Sequence, residues 1–441
     1  MSSDLRRKVL VITYYWPPSG GSSVLRWLKF ARYLHEFGWS ATIYTPGNPE
    51  PQAYDPALSK EIPDSVTVIK RKIWEPYRMF KFLTGQKHND TLTASFVSER
   101  KKGWIYGLMI WIRGNFFIPD ARKFWIRPSI RYLSKYLADN PHDAIISTGP
   151  PHSMHLIAMG IKARMNIPWL ADFRDPWTNI DFYNELKLSS LADRKHRLLE
   201  KKVLASADAV ITVGPTMTAE FKNMGCSKVF TITNGYDEIS DNPAIEPVKG
   251  FSFLHVGSMS SARNPRVLWT VLGNIASEDQ GFRSDLVIHL IGKVDYTVLR
   301  SITESGLEDN LKKQDHIPHY QVFPLLKQAS VLLLVINDSQ NAGSILTNKF
   351  YEYLSAGRPI LGIGPEDGDA AFILNRSGGG RMIDYNNRKE LHDHIIDLYN
   401  RYKSGKLITN VRNISQYNRR NLTAELAALL DSVVSKSDAP L

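Results

Sequence analysis

At 441 residues, 43% of them hydrophobic and 22% charged, with 28 glycines and 24 prolines and no low-complexity tract, the chain has a globular composition and the length of two domains of roughly 200 residues each. A single cysteine, Cys226, excludes an intramolecular disulfide framework and any multi-cysteine metal site. The net charge of +11 asks for an acidic partner, whether nucleic acid, anionic membrane or phosphorylated substrate.

The N-terminus leads into an apolar run with no visible signal peptide, and the chain is read as cytoplasmic. β-rich runs at 9–13, 41–45, 66–71, 144–148, 169–172, 209–213 and 229–233 alternate with helix-length segments. Continuous apolar strands between crossover helices predict a parallel, doubly wound, Rossmann-like first domain, residues 1–240. The first run is followed by YYWPPSGGSSVLRWLKFARYLHEFG, residues 14–38. Gly20 and Gly21 let backbone approach a ligand closely, and Ser22 or Ser23 can cap a helix with apolar positions at Val24, Leu28, Ala31 and Leu34. The amides at such a helix start favour an anion, although an ordinary glycine-rich βα turn would read the same way. Neither a Walker A lysine nor a G-x-G-x-x-G spacing is present.

Between Arg100 and Tyr136, nine Lys/Arg face one acid, Asp120, with nine aromatics interleaved. The apolar stretch GWIYGLMIWI, 103–112, is about half the roughly 20 residues that span a bilayer, so no transmembrane helix is expected. Lys101, Lys102, Trp104, Trp111 and Arg113 form a candidate surface against anionic membrane; the competing reading buries the aromatics as core. No zinc-finger, RRM or helix-turn-helix pattern accompanies the charge, which argues against nucleic acid.

Two polar clusters follow strand ends: His152 and His155 in STGPPHSMH, and Asp172, Arg174 and Asp175 in ADFRDPW. Both should project into one crevice beyond the carboxyl ends of the strands. A polar stretch, 238–250, reads as a linker. A second series, 252–256, 286–291, 331–336 and 359–362, predicts another α/β domain over 250–410. Within it, NAGSILTNKFYEYLSAGRPILGIG, 341–364, sets Lys349 and Glu352 three apart beside a predicted helix, 350–356, that ends at Gly357. A carboxylate there can accept both hydroxyls of a ribose and the lysine can meet a diphosphate; a surface ion pair is the plainer reading. The sole D-x-D string, Asp367-Gly368-Asp369, is read as a helix cap centred on Asp369, and no metal site is expected.

The chain resembles a retaining GT-B glycosyltransferase of family GT4, in the bacterial subgroup that carries DFRDPW. The resemblance runs nearly end to end, through YYWPPSGGSSVLRWLKF, IPDARKFW (118–125), ISTGPPHSMHLIA (146–158), PWLADFRDPW (168–177), ITNGYD (232–237), LHVGSM (254–259) and NKFYEYLSAGRPIL (348–361). It implies two Rossmann-like domains with parallel sheets facing across a cleft. A nucleotide-sugar donor lies mainly on the second domain, a glycan or lipid-linked acceptor mainly on the first. It also implies that residues 411–441 form a helix packing back on the first domain.

By that resemblance Gly20 and Gly21 lie against the donor phosphates, with Arg263 and Lys293 as diphosphate ligands. Read from the residues themselves, His152, Asp172, Arg174 and Asp175 gathered in one cleft suit acceptor binding and hydrogen bonding to the transferred sugar; the alternative is a structural network in which Asp172 and Asp175 cap turns and Arg174 ties loops together. The family pairs two glutamates eight positions apart; counting back from Glu352 reaches Ser344. The sugar is therefore expected either to be held by backbone amides of the Ala342 to Ile345 turn, which includes Ser344 and Ile345, or to be of another type, such as a 6-deoxy or N-acetyl sugar. Transfer is expected with retention and without metal, in bacterial surface polysaccharide synthesis at the inner face of the cytoplasmic membrane. A GT-B sugar-nucleotide epimerase and an inactive GT-B scaffold are the rival functions.

Overall fold

A computed structural model describes residues 6–50, 54–75, 104–180, 183–237, 250–315, 317–407 and 409–437. The chain divides into two compact units, one of Met1–Thr233 with Arg419–Leu441 and one of Asn234–Asn418.

The first unit is built on a seven-stranded sheet of order β3-β2-β1-β4-β5-β6-β7. Its strands are β1 (Arg7–Ile12), β2 (Trp39–Pro46), β3 (Thr67–Arg71), β4 (Ala144–Gly149), β5 (Trp169–Phe173), β6 (Ala209–Thr212) and β7 (Val229–Thr231). Every pairing is parallel. Its helices are α1 (Ser22–Tyr33), α2 (Trp104–Phe116), α3 (Lys123–Asp139), α4 (Ser153–Met165), α5 (Ser190–Ser206) and α6 (Pro215–Asn223). Helices on both faces leave the central strands no solvent side, so Val9–Ile12 and Ala144–Ile146 are buried without alternation.

The second unit carries a six-stranded parallel sheet of order β10-β9-β8-β11-β12-β13. Its strands are β8 (Phe251–Val256), β9 (Leu286–Ile291), β10 (Leu311–Gln314), β11 (Val331–Val335), β12 (Ile360–Ile363) and β13 (Gly380–Ile383). Its helices are α7 (Arg266–Glu278), α8 (Gln280–Asp285), α9 (Tyr296–Glu304), α10 (His319–Gln328), α11 (Asn348–Ala356), α12 (Asp369–Ser377) and α13 (Arg388–Lys403). Alternation splits the strands between two cores. Phe251, Phe253, Leu333 and Val335 enter one, and Leu254, Leu332 and Leu334 enter the other.

A last helix, α14 (Arg419–Ser437), belongs to the first unit, where Leu422, Leu426 and Leu430 share a core with Val24 and Leu28 of α1. Arg7 and Trp39 both donate to Asp431 on this helix, at 2.9 and 3.1 Å. In each sheet the strand order reverses once, between β1 and β4 and between β8 and β11. Such switch points open a crevice beyond the carboxyl ends of the strands.

Candidate functional site

At the switch point of the first unit, the chain leaves β1 and reaches α1 through the glycine-rich loop. Gly20 is buried and Gly21 is exposed, with φ 95° and ψ 171°, a region that only glycine enters without strain. Gly21, rather than Ser22 or Ser23, is the N-cap of α1. It brings no side chain to accept from the first-turn amides, which keeps that helix start suited to an anion.

Asp172, expected to serve catalysis, is 0% exposed on β5. Its carboxylate takes a 2.8 Å ion pair from Arg26 and bonds of 2.8 Å each from Trp27 Nε1 and Thr148 Oγ1. Arg26 also donates to the carbonyls of Ile232 and Thr233. Burial alone would raise the carboxyl, but Arg26 and the hydrogen bonds from Arg26, Trp27 and Thr148 outweigh it and hold it below the usual range. These contacts join α1, β4 and β5 through the Asp172 carboxylate, as the structural-network reading expects. Arg174 ties the same loops, donating to the carbonyls of Ser23 and Pro150. Asp175 stands exposed beside it.

His152 precedes α4 and is 7% exposed; its ring stacks on Trp177 at 4.6 Å and 4°. His155 is fully buried, stacks on Phe173 and shares a 2.8 Å bond with Ser147 Oγ, which makes it a core residue. Burial, reinforced at His152 by His155, Arg174 and His196, keeps both imidazoles neutral; His155 is pushed down to about 3. A Cβ at Gly149 would lie 2.5 Å from His155 Nε2 and 3.2 Å from His152 Nδ1, so only glycine fits beneath them.

Several groups around this cluster carry no motif of their own. Asp120 accepts from the amide and hydroxyl of Ser153, both at 2.8 Å, and so holds the start of α4 from 33 positions upstream. Arg122 pairs with Glu75 at 2.8 Å and lies over the Tyr14 ring. Trp177 Nε1 donates to His196 Nδ1, and Glu200 accepts from the amides of Trp177 and Thr178. The IPDARKFW and DFRDPW blocks were the available signal, without roles attached to Asp120, Arg122 or Trp177.

In the second unit, β8 runs into Gly257, at φ +115°. Lys349, on the first turn of α11, reaches the end of β8, with Nζ 3.2 Å from His255 Nε2 and 3.4 Å from the Val256 carbonyl. Arg263 lies in a 3-10 turn, Ser261–Arg263, and donates to Asn337 Oδ1 beyond β11. Burial and the charge of Arg263 lower Lys349 to about 7 against the opposing pull of Glu352. Glu352 follows within the same helix, half-buried. Two cations and a carboxylate therefore gather at the β8–β11 switch.

Lys293 follows β9 and is exposed; its carbonyl accepts from Met259, which aligns its loop with the one after β8. The Ala342–Ser344 turn uses the amides of Ser344 and Ile345 for its own hydrogen bonds. The Ser344 amide donates to Asn341 and the Ile345 amide to Ala342, while the Ser344 hydroxyl bonds the Asn341 carbonyl at 2.9 Å. The turn packs on Gly368, where a Cβ would lie 3.0 Å from Gly343. Gly368, not Asp369, is the N-cap of α12. Among the described residues no group of three or more His, Cys, Asp or Glu gathers as metal ligands.

Lys101 and Lys102 lie outside the described residues, as does the side chain of Trp104. Trp111 and Phe116 on α2 are 39% and 59% exposed, alongside exposed Leu108, Ile112 and Arg113. Asn115 on the same helix fastens it to the chain at Lys187 and Ser189. No helix among the described residues is long and apolar enough to cross a membrane.

Residues 20–235 match the family described as Glycosyl transferase 4-like domain. No curated protein matches the chain. Among solved structures, a glycosyltransferase from Rickettsia africae is 12% identical with a TM-score of 0.61, over 97% of this chain and 99% of that one. WaaG, a glycosyltransferase involved in lipopolysaccharide biosynthesis, is 13% identical with a TM-score of 0.54, over 97% and 98%. An E. coli structure, trehalose-6-phosphate bound with UDP-2-fluoro glucose, is 10% identical with a TM-score of 0.56, over 98% and 99%. The fold is α/β of the GT-B class, with two parallel sheets.

Proposed function

We propose that the protein is a glycosyltransferase that moves a sugar from a nucleotide-sugar donor to the hydroxyl of a glycan or lipid-linked acceptor, with retention and without metal. The observation that carries this reading is the grouping of Arg263, Lys349 and Glu352 at the β8–β11 switch. Two cations suit a diphosphate, and a carboxylate within one helical turn suits a ribose. The match of residues 20–235 to the glycosyl transferase 4-like family favours this reading over an epimerase or an inactive scaffold.

Catalysis on this reading is electrostatic. Preorganised cations stabilise the departing diphosphate, and its oxygen helps take the proton of the incoming hydroxyl in a front-face attack. His152, neutral and next to Arg174, serves the transferred sugar or acceptor as a hydrogen-bonding group. The Gly21 backbone and the start of α1 offer amides to the donor phosphates. The exposed apolar and basic face of α2 fits peripheral contact with an anionic membrane at the cytoplasmic side, where a lipid-linked acceptor for bacterial surface polysaccharide would lie.

The test is incubation with a panel of nucleotide sugars, with and without lipid extract. Nucleotide release that requires acceptor supports the transferase. Sugar-nucleotide product without acceptor favours the epimerase, and no binding at all favours the scaffold.

A further inference from the structure

We infer that His255 is a positioning residue, which aims the Lys349 ammonium at a diphosphate bound above the β8–β11 switch. This rests on the reading of that crevice as the donor diphosphate site. Strand β8 reads FSFLHV, and His255 is 0% exposed in it. A buried imidazole in a strand needs partners for its ring nitrogens. Nδ1 lies 3.0 Å from the Leu333 carbonyl of β11, an acceptor only, so Nδ1 carries the hydrogen and Nε2 presents a lone pair.

Lys349 Nζ stands 3.2 Å from that lone pair and 3.4 Å from the Val256 carbonyl. Both acceptors are neutral. They orient two of the three N–H bonds of an ammonium and add no countercharge of their own, with the third N–H left for a ligand. A carboxylate in place of His255 would hold the lysine but cancel the charge that a diphosphate needs. The charged group facing the pair from the 3-10 turn is Arg263, and Glu352 faces Lys349 from α11. Burial, with the charge of Arg263 beside it, lowers Lys349, and an anion bound there relieves it.

The experiment is calorimetric titration of the full chain with uridine, guanosine, adenosine and thymidine diphosphates from pH 6 to 9. Parent, His255→Leu, His255→Asn, His255→Gln and Lys349→Ala are compared. Asn keeps a donor for the Leu333 carbonyl but is too short to accept from Lys349, whereas Gln restores an acceptor near the Nε2 position. We expect His255→Leu and His255→Asn to weaken binding about tenfold, the scale of one charge-assisted hydrogen bond. Both should lose the fall in affinity above pH 7 and follow the profile of Lys349→Ala, while His255→Gln recovers most of the affinity and the pH dependence. If His255→Leu fails to fold, the contrast between Asn and Gln decides. Parent-like affinity and pH profile in His255→Asn would overturn the role of His255 alone. A folded parent that binds none of the diphosphates would overturn the donor-site reading, and this inference with it.

Discussion

Arg26 on α1 and Asp172 on β5 form a 2.8 Å ion pair with side chains 2% and 0% exposed, 146 positions apart in sequence. Removing one partner strands the other charge in the core, so Asp172→Ala should cost about 3–5 kcal/mol of stability in denaturant melts. The double change Arg26→Met/Asp172→Leu should lie closer to the parent. Because the folded carboxyl is held below its unfolded value of about 3.9, the contribution of Asp172 is present above that pH and lost as pH falls through the lower folded value. Equal acid stability of parent and double variant would refute this.

Gly21 sits at φ 95° and ψ 171°. Gly21→Val should lose turnover and also about 1–3 kcal/mol of stability, because an L side chain is strained there whatever space surrounds it. Thermal melts beside nucleotide-release assays check both effects. An unchanged melting point would contradict the backbone account.

Glu352→Ala should weaken nucleotide-donor binding roughly ten- to hundredfold, the scale of hydrogen bonds to a charged acceptor. Calorimetry with the preferred nucleotide sugar measures it. Unchanged affinity would remove Glu352 from the site.

With Lys349 at about 7, diphosphate binding at pH 7 should take up about half a proton as the ammonium becomes fully charged. Titrations in buffers of different ionisation heat read that number, and it should vanish in Lys349→Met. In the unliganded protein the folded value lies below the unfolded one of about 10.4. The unfolded chain therefore binds more protons between about pH 7 and 10, and stability rises with pH through that window because of this group. Lys349→Met should flatten the slope.

Charge reversal at Lys101, Lys102 and Arg113 should release the protein from anionic liposomes, and Trp111→Ser with Phe116→Ser should weaken binding to the same vesicles. Sedimentation in parallel with neutral vesicles checks it, and equal pelleting of parent and variants would dismiss membrane contact.

Sequence by itself determined the central strands, since β1, β4, β8 and β11 lie between two layers of helices and are buried along runs that are mostly apolar. It missed β10, which reads LKKQ at a sheet edge, and β13, which reads GRMI, because a short or edge strand need not be an apolar run. The glycines after β1 and the Lys349–Glu352 spacing were visible because turn geometry and helical periodicity are local. Only the tertiary structure decided that Asp172 is closed off by Arg26, that the Ser344 turn satisfies its own amides, and that Lys349 leans on His255 from 94 positions away. The physical reason is that burial and partnership depend on which strand ends the crossover connections bring side by side, and no local spacing along the chain records that.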